Sequence, residues 1–435
     1  MKLGICGLLA VSAFVVTCLL GSAQTLAQNA YIPNEQSGTV SVVDTVTSTV
    51  IATIPVGIGP QGVAVTPDGG KVYVANTDSD TVSVINTATN TVTTTIPSGC
   101  TPYGVAVTRD GSKVHVTSLC GFLSVINAAT NTITATILVG TNPNGVAVTP
   151  DGSKAYVTNP GSNSVSVIDT ATNAVVATIP VGTNPTDVAV SPNGSKAYVT
   201  NESSYSVSVI DTATNAVAAT IPIYVPVAVA VTPDGSKIYV TNVDNFVSVI
   251  DAATNTMTAT IPVPAGLSPG VAVTPDGSKV YVVNFPSSVV SVIDTATNAV
   301  IAAIPVGSNP VALGVFIPIP VPQKSPTAGN LCNGIYDGTF NGNVAVSAGQ
   351  DCIFLNGKIT GNVNVIGGNF ALNGSAVGGK VTVNGGGTYW LGPAATVRPC
   401  GLAGLSDVPQ ARQQSSGRTR GGSPSARLCA SAELA

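Results

Sequence analysis

The sequence predicts an all-β fold, a seven-bladed β-propeller with four-stranded blades, and three observations support this prediction. Strings similar to VAVTPDG recur every 41 or 42 residues, and a repeat of about 40 to 45 residues is typical of one propeller blade. Each repeat contains four short runs rich in β-branched residues, separated by PDG and DTATN turn sequences. A string similar to YVTN, predicted as the second strand of a blade, occurs seven times, beginning at Tyr31, Tyr73, His115, Tyr156, Tyr198, Tyr239 and Tyr281.

The first blade lacks an innermost strand at its N-terminal end. That strand type occurs six times before a degenerate seventh copy, residues 314–317, follows the last outer strand. We therefore expect the C-terminal segment to complete blade one, which closes the ring and leaves no unpaired edge between the first and last blades. The predicted propeller spans residues 28–322.

The repeated strings YVTN, VSVID, TATN and TIPVG resemble the YVTN-repeat family of seven-bladed propellers, which includes YncE-like exported proteins and surface-layer proteins. The resemblance covers about two thirds of the chain. It implies an exported propeller at the cell surface or in the periplasm, and it carries no catalytic residues over to this chain. A shared fold does not by itself assign a reaction.

Residues 1–27 read as a secretory signal peptide. Lys2 precedes an apolar run, and small residues at Ala23 and Ala27 offer cleavage sites. A membrane anchor and a lipoprotein modified at Cys18 are the alternatives. Export predicts a periplasmic, cell-surface or extracellular protein with no membrane span after cleavage.

An oxidising compartment favours disulfides among the remaining cysteines. Cys100 precedes the first strand of blade three and Cys120 follows its second strand, so antiparallel order places both loops at one end of the blade. We predict a Cys100–Cys120 disulfide, with two buried free thiols as the alternative. Cys332 and Cys352 are candidates for a second one.

The period changes after the propeller. Residues 323–330 form a proline-rich linker, and GNV or GKV strings then recur every 18 or 19 residues, which predicts a small β-solenoid-like module over 331–397. A small irregular β-sandwich is the alternative. Five of the six arginines lie in residues 398–435. We expect this tail to be disordered, and we favour a reading-frame shift over a functional basic tail as its origin.

The composition is poor in catalytic residues. His115 is the only histidine, and it stands where the other blades carry tyrosine, so we interpret it as a packing substitution rather than a catalytic base. No zinc-type or haem-attachment pattern occurs. We therefore predict no enzyme activity and no cofactor, with Asp78 and Asp80 as candidate ligands for calcium.

Strand order separates two faces of the ring. The PDG and DTATN turns lie on one face, with lysines and aspartates mixed. The other two loop classes form the opposite face, which carries Glu35, Asp78, Asp80, Asp187, Glu202 and Asp244 without lysine or arginine. This acidic face should attract cations or basic partners, and nucleic acid is disfavoured because phosphate binding needs a basic surface.

The residue after the proline that begins each inner strand varies from blade to blade, as expected for a recognition surface around the channel mouth; neutral drift is the alternative. The candidate ligand-binding residues are Gln61, Tyr103, Asn144, Thr186, Asp187, Val227, Glu202 and Asp244. We predict a non-enzymatic exported propeller that acts as a rigid binding or surface-scaffold module for an extracellular or periplasmic protein or glycan. The alternatives are a propeller enzyme of the lactonase or quinoprotein-dehydrogenase type and a structural surface-layer subunit.

Overall fold

The computed structural model describes the propeller and parts of the C-terminal module. The described residues are 29–264, 266–285, 287–318, 334–336, 339–340, 343–347, 351–355, 358–366, 369–373, 376–379, 381–384, 388–391 and 396–397. The predicted signal peptide, linker and tail lie outside them. No helix with the length and apolar character of a membrane span occurs in this described part of the chain.

Seven antiparallel sheets form the blades, and consecutive strands pair from the channel outward. Short β-branched runs alternate with turns in which an aspartate accepts backbone N–H groups, so each hairpin is specified locally. The strands of blades one to three are β1 (Asn29–Asn34), β2 (Thr39–Asp44), β3 (Thr49–Pro55), β4 (Pro60–Val65), β5 (Lys71–Asn76), β6 (Thr81–Asn86), β7 (Thr91–Pro97), β8 (Pro102–Val107), β9 (Lys113–Ser118), β10 (Phe122–Asn127) and β11 (Thr132–Leu138).

The remaining four blades repeat this arrangement, and single turns of 3-10 helix follow β5 and β13. The strands of blades four to seven are β12 (Val146–Val148), β13 (Lys154–Asn159), β14 (Ser164–Asp169), β15 (Ala174–Pro180), β16 (Pro185–Val190), β17 (Lys196–Asn201), β18 (Ser206–Asp211), β19 (Ala216–Pro222), β20 (Pro226–Val231), β21 (Lys237–Asn242), β22 (Phe246–Asp251), β23 (Thr256–Pro262), β24 (Leu267–Val273), β25 (Lys279–Phe285), β26 (Val289–Asp294) and β27 (Ala299–Pro305).

The ring closes as predicted, through a C-terminal segment that completes blade one. The N–H of Tyr31 donates to the Phe316 carbonyl over 2.9 Å, and the N–H of Val311 donates to the Pro33 carbonyl over 2.9 Å. The same segment also pairs in parallel with β4, where the N–H of Val63 donates to the Leu313 carbonyl. The paired segment, residues 309–316, begins earlier than the predicted copy at 314–317. The prediction of seven four-stranded blades is confirmed.

The tyrosine of the YVTN string joins one blade to the turn of the next. The Tyr73 hydroxyl donates to Oδ1 of Asn131 over 2.9 Å, and the Tyr156 hydroxyl donates to Oδ1 of Asn215 over 3.1 Å. The lysine two residues earlier reaches the same turn, because Nζ of Lys71 donates to the Ala128 carbonyl over 2.6 Å. These buried contacts satisfy polar groups at the blade boundary.

The asparagine of the string holds the loop that leads into its own blade. Nδ2 of Asn76 donates to the hydroxyl of Ser83, and its Oδ1 accepts the N–H of Gly57 over 3.2 Å. A Cβ at Gly57 would lie 2.6 Å from the Asn76 carboxamide carbon, so glycine is required there. Because the amide is fully buried and bonded, this asparagine stabilises the fold.

The threonine of the string forms part of an inner belt. The Thr117 hydroxyl accepts the N–H of Gly104 over 2.7 Å and donates to the Asn144 carbonyl of the next blade over 2.6 Å. Thr158 and Thr200 make the same pair of contacts in blades four and five. Each letter of YVTN that bears a polar group therefore has a structural role.

Blade three departs from this pattern at His115. Its side chain is fully buried, and both ring nitrogens lack hydrogen-bond partners among the described residues. In the next blade, Oδ1 of Asn173, the turn atom equivalent to Asn131, is also without a partner, as are the equivalent atoms of Asn90 and Asn255, whose preceding blades carry Tyr31 and Tyr198. Burial lowers the pKa of His115 to about 4, and the charge of Lys113 adds to this shift. The packing interpretation of His115 agrees with this geometry.

The described strands of the C-terminal module pair in parallel in three sheets with a spacing of 18 to 20 residues, the pattern of a β-solenoid. Tyr336, Phe354 and Val363 belong to its buried core. Its strands are β28 (Gly334–Tyr336), β29 (Thr339–Phe340), β30 (Val344–Ser347), β31 (Asp351–Leu355), β32 (Lys358–Ile359), β33 (Val363–Ile366), β34 (Asn369–Asn373), β35 (Ala376–Val377), β36 (Val381–Asn384), β37 (Thr388–Leu391) and β38 (Thr396–Val397).

We expect His115→Tyr to stabilise the protein, because the tyrosine hydroxyl would be placed to donate to Oδ1 of Asn173, as Tyr73 and Tyr156 donate to Asn131 and Asn215. The matched variant His115→Phe places an aromatic ring at the same position without a hydroxyl. The free energy of unfolding of His115→Tyr should therefore exceed that of His115→Phe by about 1 kcal/mol, the value of one buried hydrogen bond. Urea denaturation at pH 7 measures this difference. Equal stability of the two variants would contradict the proposed contact.

The same substitution should also change the response to acid. The folded pKa of His115, about 4, lies below its ordinary value of 6.5. As pH falls, His115 is therefore protonated in the unfolded chain at a higher pH than in the folded protein. This difference lowers the free energy of unfolding by up to about 3 kcal/mol as pH falls from 6.5 to 4. The stability difference between His115→Phe and the wild type should grow over this range. A constant difference would show that the buried imidazole does not titrate as inferred.

Candidate functional site

The acidic face consists of the loops between the second and third strands and the loops that precede the inner strands. These two loop classes contact each other in the structure. The N–H of Ile58 donates to the Ser79 hydroxyl over 3.1 Å, and the N–H of Leu119 donates to the Thr101 carbonyl over 3.1 Å. The variable residues lie at the start of the inner strands, next to a face in which the two loop classes contact each other.

The position two residues before the VAV-type run of each inner strand, which follows a proline in every blade except blade seven, is polar in four consecutive blades and apolar in the next three. Tyr103 and Asn144 are half-buried, whereas Val227 and Val311 are buried, with 8% and 7% of their surface exposed. The residues at this position, from blade two round to blade one, are Gln61, Tyr103, Asn144, Thr186, Val227, Pro269 and Val311. The channel mouth thus has a polar arc and an apolar arc, and Val227 belongs to the apolar one.

Two carboxylates flank the polar arc. Nε2 of Gln61 donates to Oε1 of Glu35 over 3.1 Å, and Nδ2 of Asn184 donates to Oε2 of Glu202 over 2.8 Å. Burial raises the pKa of Glu35, and the nearby charge of Asp78 raises it further. Burial also raises the pKa of Tyr103, with additional contributions from the charges of Glu35 and Glu202. Tyr103 therefore lies within the field of carboxylates from blades one and five.

Asn144 and Thr186 differ in what their side chains can still bind. Oδ1 of Asn144 is buried and has no hydrogen-bond partner among the described residues. The backbone of Asn144 is already used, because its N–H donates to Thr158 and its carbonyl accepts from Thr117. The Thr186 hydroxyl donates to the Val227 carbonyl over 2.7 Å and lies 2.9 Å from the Thr200 hydroxyl. Asn144 thus has an unused acceptor, whereas Thr186 is engaged between blades.

Asp187 lies within β16 rather than in a loop of the acidic face, and 8% of its surface is exposed. It occupies a position that is glycine in blades two to four, where a Cβ at Gly62 would lie 1.8 Å from the Tyr103 carbonyl oxygen. Oδ1 of Asp187 accepts the N–H of Val188 over 2.8 Å, and Oδ2 accepts the N–H of Val229 over 3.0 Å. Its carboxylate therefore links the inner strands of blades five and six.

Burial raises the pKa of Asp187 to about 6, and the two backbone hydrogen bonds offset only part of that shift. A carboxylate is expensive to bury because it loses its hydration, even when it is hydrogen-bonded. Groups with such a perturbed pKa are concentrated at functional sites. Asp187 is therefore the most strongly perturbed acid that the structure describes at the channel mouth.

The remaining acidic candidates are more exposed. Asp244 and Asp78 are exposed loop residues, and Oδ1 of Asp80 accepts the N–H of Thr101 over 2.6 Å. The contact gives Asp80 a structural role between two loops. Within the described ranges, no group of three or more histidine, cysteine, aspartate or glutamate side chains is arranged to hold a metal ion. The calcium assignment to Asp78 and Asp80 remains a prediction.

A disulfide joins Cys100 and Cys120, with a Cα–Cα distance of 6.3 Å. It links the two loop classes of the acidic face within blade three. Cys352 is also disulfide-bonded, and its predicted partner Cys332 lies outside the described residues. Such bonds are typical of exported proteins.

Two tyrosines of the acidic face stack on each other, and sequence reasoning alone did not pair them. The rings of Tyr205 and Tyr224 have centroids 5.6 Å apart and an interplanar angle of 9°, and each residue is 54% exposed. Tyr205 belongs to a loop of blade five, and Tyr224 belongs to the loop between blades five and six. The signal in the sequence is that the loop 223–225 is one residue shorter than the equivalent loop 56–59.

A family model described as the Choice-of-anchor I domain matches residues 20–185. No protein of curated function matches the sequence significantly. Among solved structures, hydrazine synthase from Kuenenia stuttgartiensis is 27% identical, with a TM-score of 0.57, over 61% of this chain and 92% of that chain.

Two further structures share the fold at lower identity. A functionally unknown protein from Desulfotomaculum acetoxidans DSM 771 is 18% identical, with a TM-score of 0.56, over 66% of this chain and 99% of that chain. The dihydro-heme d1 dehydrogenase NirN, solved in complex with DHE, is 19% identical, with a TM-score of 0.50, over 65% of this chain and 64% of that chain. These likenesses support the propeller fold and leave the activity of this chain open.

We expect Asp187→Ala to change how stability depends on pH. The folded pKa of Asp187, about 6, exceeds its ordinary value of 3.8. The folded protein therefore holds a proton that the unfolded chain has lost, and stability falls by up to about 3 kcal/mol as pH rises from 4 to 6. Alanine already occupies this position at Ala228 and Ala312. Relative to wild type, the variant should gain stability between pH 4 and pH 6, and the gain should level off above pH 6.

Urea denaturation at several pH values measures this gain. Asp244→Ala is the matched control, because it removes an exposed carboxylate of the acidic face. If Asp187→Ala and Asp244→Ala show the same pH dependence, the buried carboxylate has no special ionisation behaviour.

Proposed function

We propose that this protein is an exported, non-enzymatic propeller that serves as a binding or surface-scaffold module, with recognition at the channel mouth of its acidic face. The match to the Choice-of-anchor I domain and the Cys100–Cys120 disulfide support export. The resemblance to YVTN-repeat propellers supports the same location. The predicted partner is a protein or glycan outside the cytoplasm.

The observation that carries the proposal is the unused binding capacity in the polar arc. Oδ1 of Asn144 has no partner among the described residues, and Tyr103 holds the equivalent position in the preceding blade. Buried polar atoms are normally hydrogen-bonded, so an unpaired acceptor at a channel mouth favours a ligand that donates to it. The carboxylates of Glu35 and Glu202 favour a ligand that is neutral or positively charged.

The residues that recur from blade to blade support the structure rather than a reaction. The tyrosine, threonine and asparagine of the YVTN strings are engaged at blade boundaries, as Tyr73, Thr117 and Asn76 illustrate. The only histidine is fully buried in a second strand. A general base must reach the proton that it removes, and His115 lacks such access.

A propeller enzyme is the second candidate, and Asp187 is the observation that favours it. A buried carboxylate with a pKa of about 6 at a channel mouth has the properties of a general acid or base. Hydrazine synthase and NirN, which share the fold, carry enzyme names. In this alternative, Asp187 would exchange a proton with the substrate, and Asn144 would orient it.

The proposal is tested by titrating the full chain with spermidine and with a lysine-rich peptide in a calorimeter. We expect both cationic probes to bind, and the double variant Glu35→Gln/Glu202→Gln to weaken binding about tenfold, because it removes two charges while keeping hydrogen-bonding side chains. Asn144→Ala should weaken binding as well, since it removes the free acceptor without altering the backbone contacts.

Asp211→Asn is the matched control, because it removes one charge from the opposite face and installs the residue that Asn86 and Asn127 provide at the same turn position. It should bind like the wild type. Unchanged binding by the double variant would contradict recognition at this mouth. Hydrolysis of a lactone that is lost in Asp187→Ala would support the enzyme, and ordered sheets in the electron microscope would support a surface-layer subunit.

A further inference from the structure

We propose that Tyr205 and Tyr224 form a carbohydrate-binding platform on the acidic face, on which the apolar face of a neutral pyranose ring stacks. This inference rests on the proposed function and names the ligand class. The two rings are nearly parallel, with an interplanar angle of 9°, and each residue is 54% exposed. Each ring therefore covers one face of the other, and more than half of each residue's surface is left exposed to solvent for a ligand to stack on.

The backbone at Tyr205 is in an unfavourable conformation for so large a residue. Its φ is +52°, in the left-handed region. The equivalent loop positions in the other blades are occupied by residues that tolerate this region better, namely Gly38, Asp80, Gly121, Asn163, Asn245 and Ser288. A bulky side chain with positive φ costs free energy, and such strain is concentrated at functional sites. Since the Tyr205 ring is largely exposed, core packing does not account for its presence.

The loop that carries Tyr224 is rebuilt relative to those of other blades. Tyr224 stands where Gly57, Gly140 and Gly182 approach the buried asparagine of the following blade too closely to carry a side chain. In blade six, Nδ2 of Asn242 donates instead to the Tyr224 carbonyl. Loop shortening and this changed hydrogen bond together allow an aromatic side chain at the position.

Further backbone hydrogen bonds hold the two tyrosines in place. The N–H of Ile223 donates to the Tyr205 carbonyl over 3.0 Å, which ties the loop of blade five to the residue before Tyr224. The N–H of Val243 donates to the Val225 carbonyl over 3.2 Å. Ordering a stacking surface before a ligand arrives reduces the entropy lost on binding.

The chemistry around the rings favours a neutral sugar over other ligands. The turn that ends in Tyr205 begins Glu202-Ser203-Ser204. Oε2 of Glu202 and the Ser204 hydroxyl already accept hydrogen bonds from Asn184 and Thr183, so the second carboxylate oxygen of Glu202, the Ser203 hydroxyl and the exposed amide nitrogen of Asn245 are the groups offered to a sugar. A pyranose has an apolar C–H face and hydroxyl groups at its edge, which match an aromatic face bordered by hydrogen-bonding groups. The acidic-face loops contain no lysine or arginine, so an anionic ligand would lack a counter-charge.

The test is calorimetric titration of the full chain with cellohexaose, chitohexaose, mannohexaose and, as an anionic probe, hexagalacturonate. We expect at least one neutral oligosaccharide to bind and the anionic one to bind at least about tenfold more weakly. Tyr205→Asn and Tyr224→Gly should each weaken binding of the neutral oligosaccharide about tenfold, because each removes one stacking ring. Both variants install residues that other blades use at these positions, so folding should be preserved.

Tyr205→Phe and Tyr224→Phe keep the rings and should retain most of the affinity. Leu138→Ser is the matched control, because it removes an apolar side chain that is 80% exposed where the outer strand of blade three ends at the acidic face. The proposal is wrong if no neutral sugar binds the wild type, if binding survives both ring-removing variants, or if Leu138→Ser weakens it equally. Loss on changing the tyrosines, with sugar binding unchanged in Glu35→Gln and in Asn144→Ala, would retain the platform and reject recognition at the mouth.

Discussion

Contact between one blade and the next is the interaction on which the other features of this protein depend. A sheet of four short strands buries little apolar surface alone, so its faces must pack against neighbouring sheets. Tyr73 and Lys71 reach forward to the next turn, and Thr117 bonds the next inner strand. These polar contacts fix how far each blade is rotated from its neighbour, while valine and isoleucine supply most of the buried surface.

This use of the repeated polar residues explains why functional groups must be sought where the repeats differ. Asp187 replaces the glycine that, in other blades, allows the backbone of the next inner strand to approach closely. Its carboxylate instead accepts the N–H of Val229 in the next blade. Tyr205 and Tyr224 replace small or flexible residues in two loops. All three lie in blade five or at its boundary with blade six. One sector of the ring therefore carries three departures from the structural pattern.

The sequence was sufficient to predict the blades, the ring closure and the Cys100–Cys120 pairing, because each depends on a regular period or on strand order. It was less informative about individual side chains. Thr186 is a variable residue like Asn144, but its hydroxyl is engaged between blades. Asp187 follows a variable position and reads as a loop acid, yet it is buried in a strand. The stacking of Tyr205 on Tyr224 depends on the relative placement of loops from adjacent blades, which spacing along the chain does not encode.

Closure by the segment 309–316 has a consequence for the order in which the molecule can mature. A chain made from its N-terminus presents the inner edge of β1 without a partner until Phe316 has been synthesised. If the protein crosses a membrane in the same direction, the other blades can assemble on the far side while this edge still awaits its partner. Premature termination before Phe316 would leave an edge competent to pair with another chain. Chaperone protection would thus be needed most at the beginning of the chain.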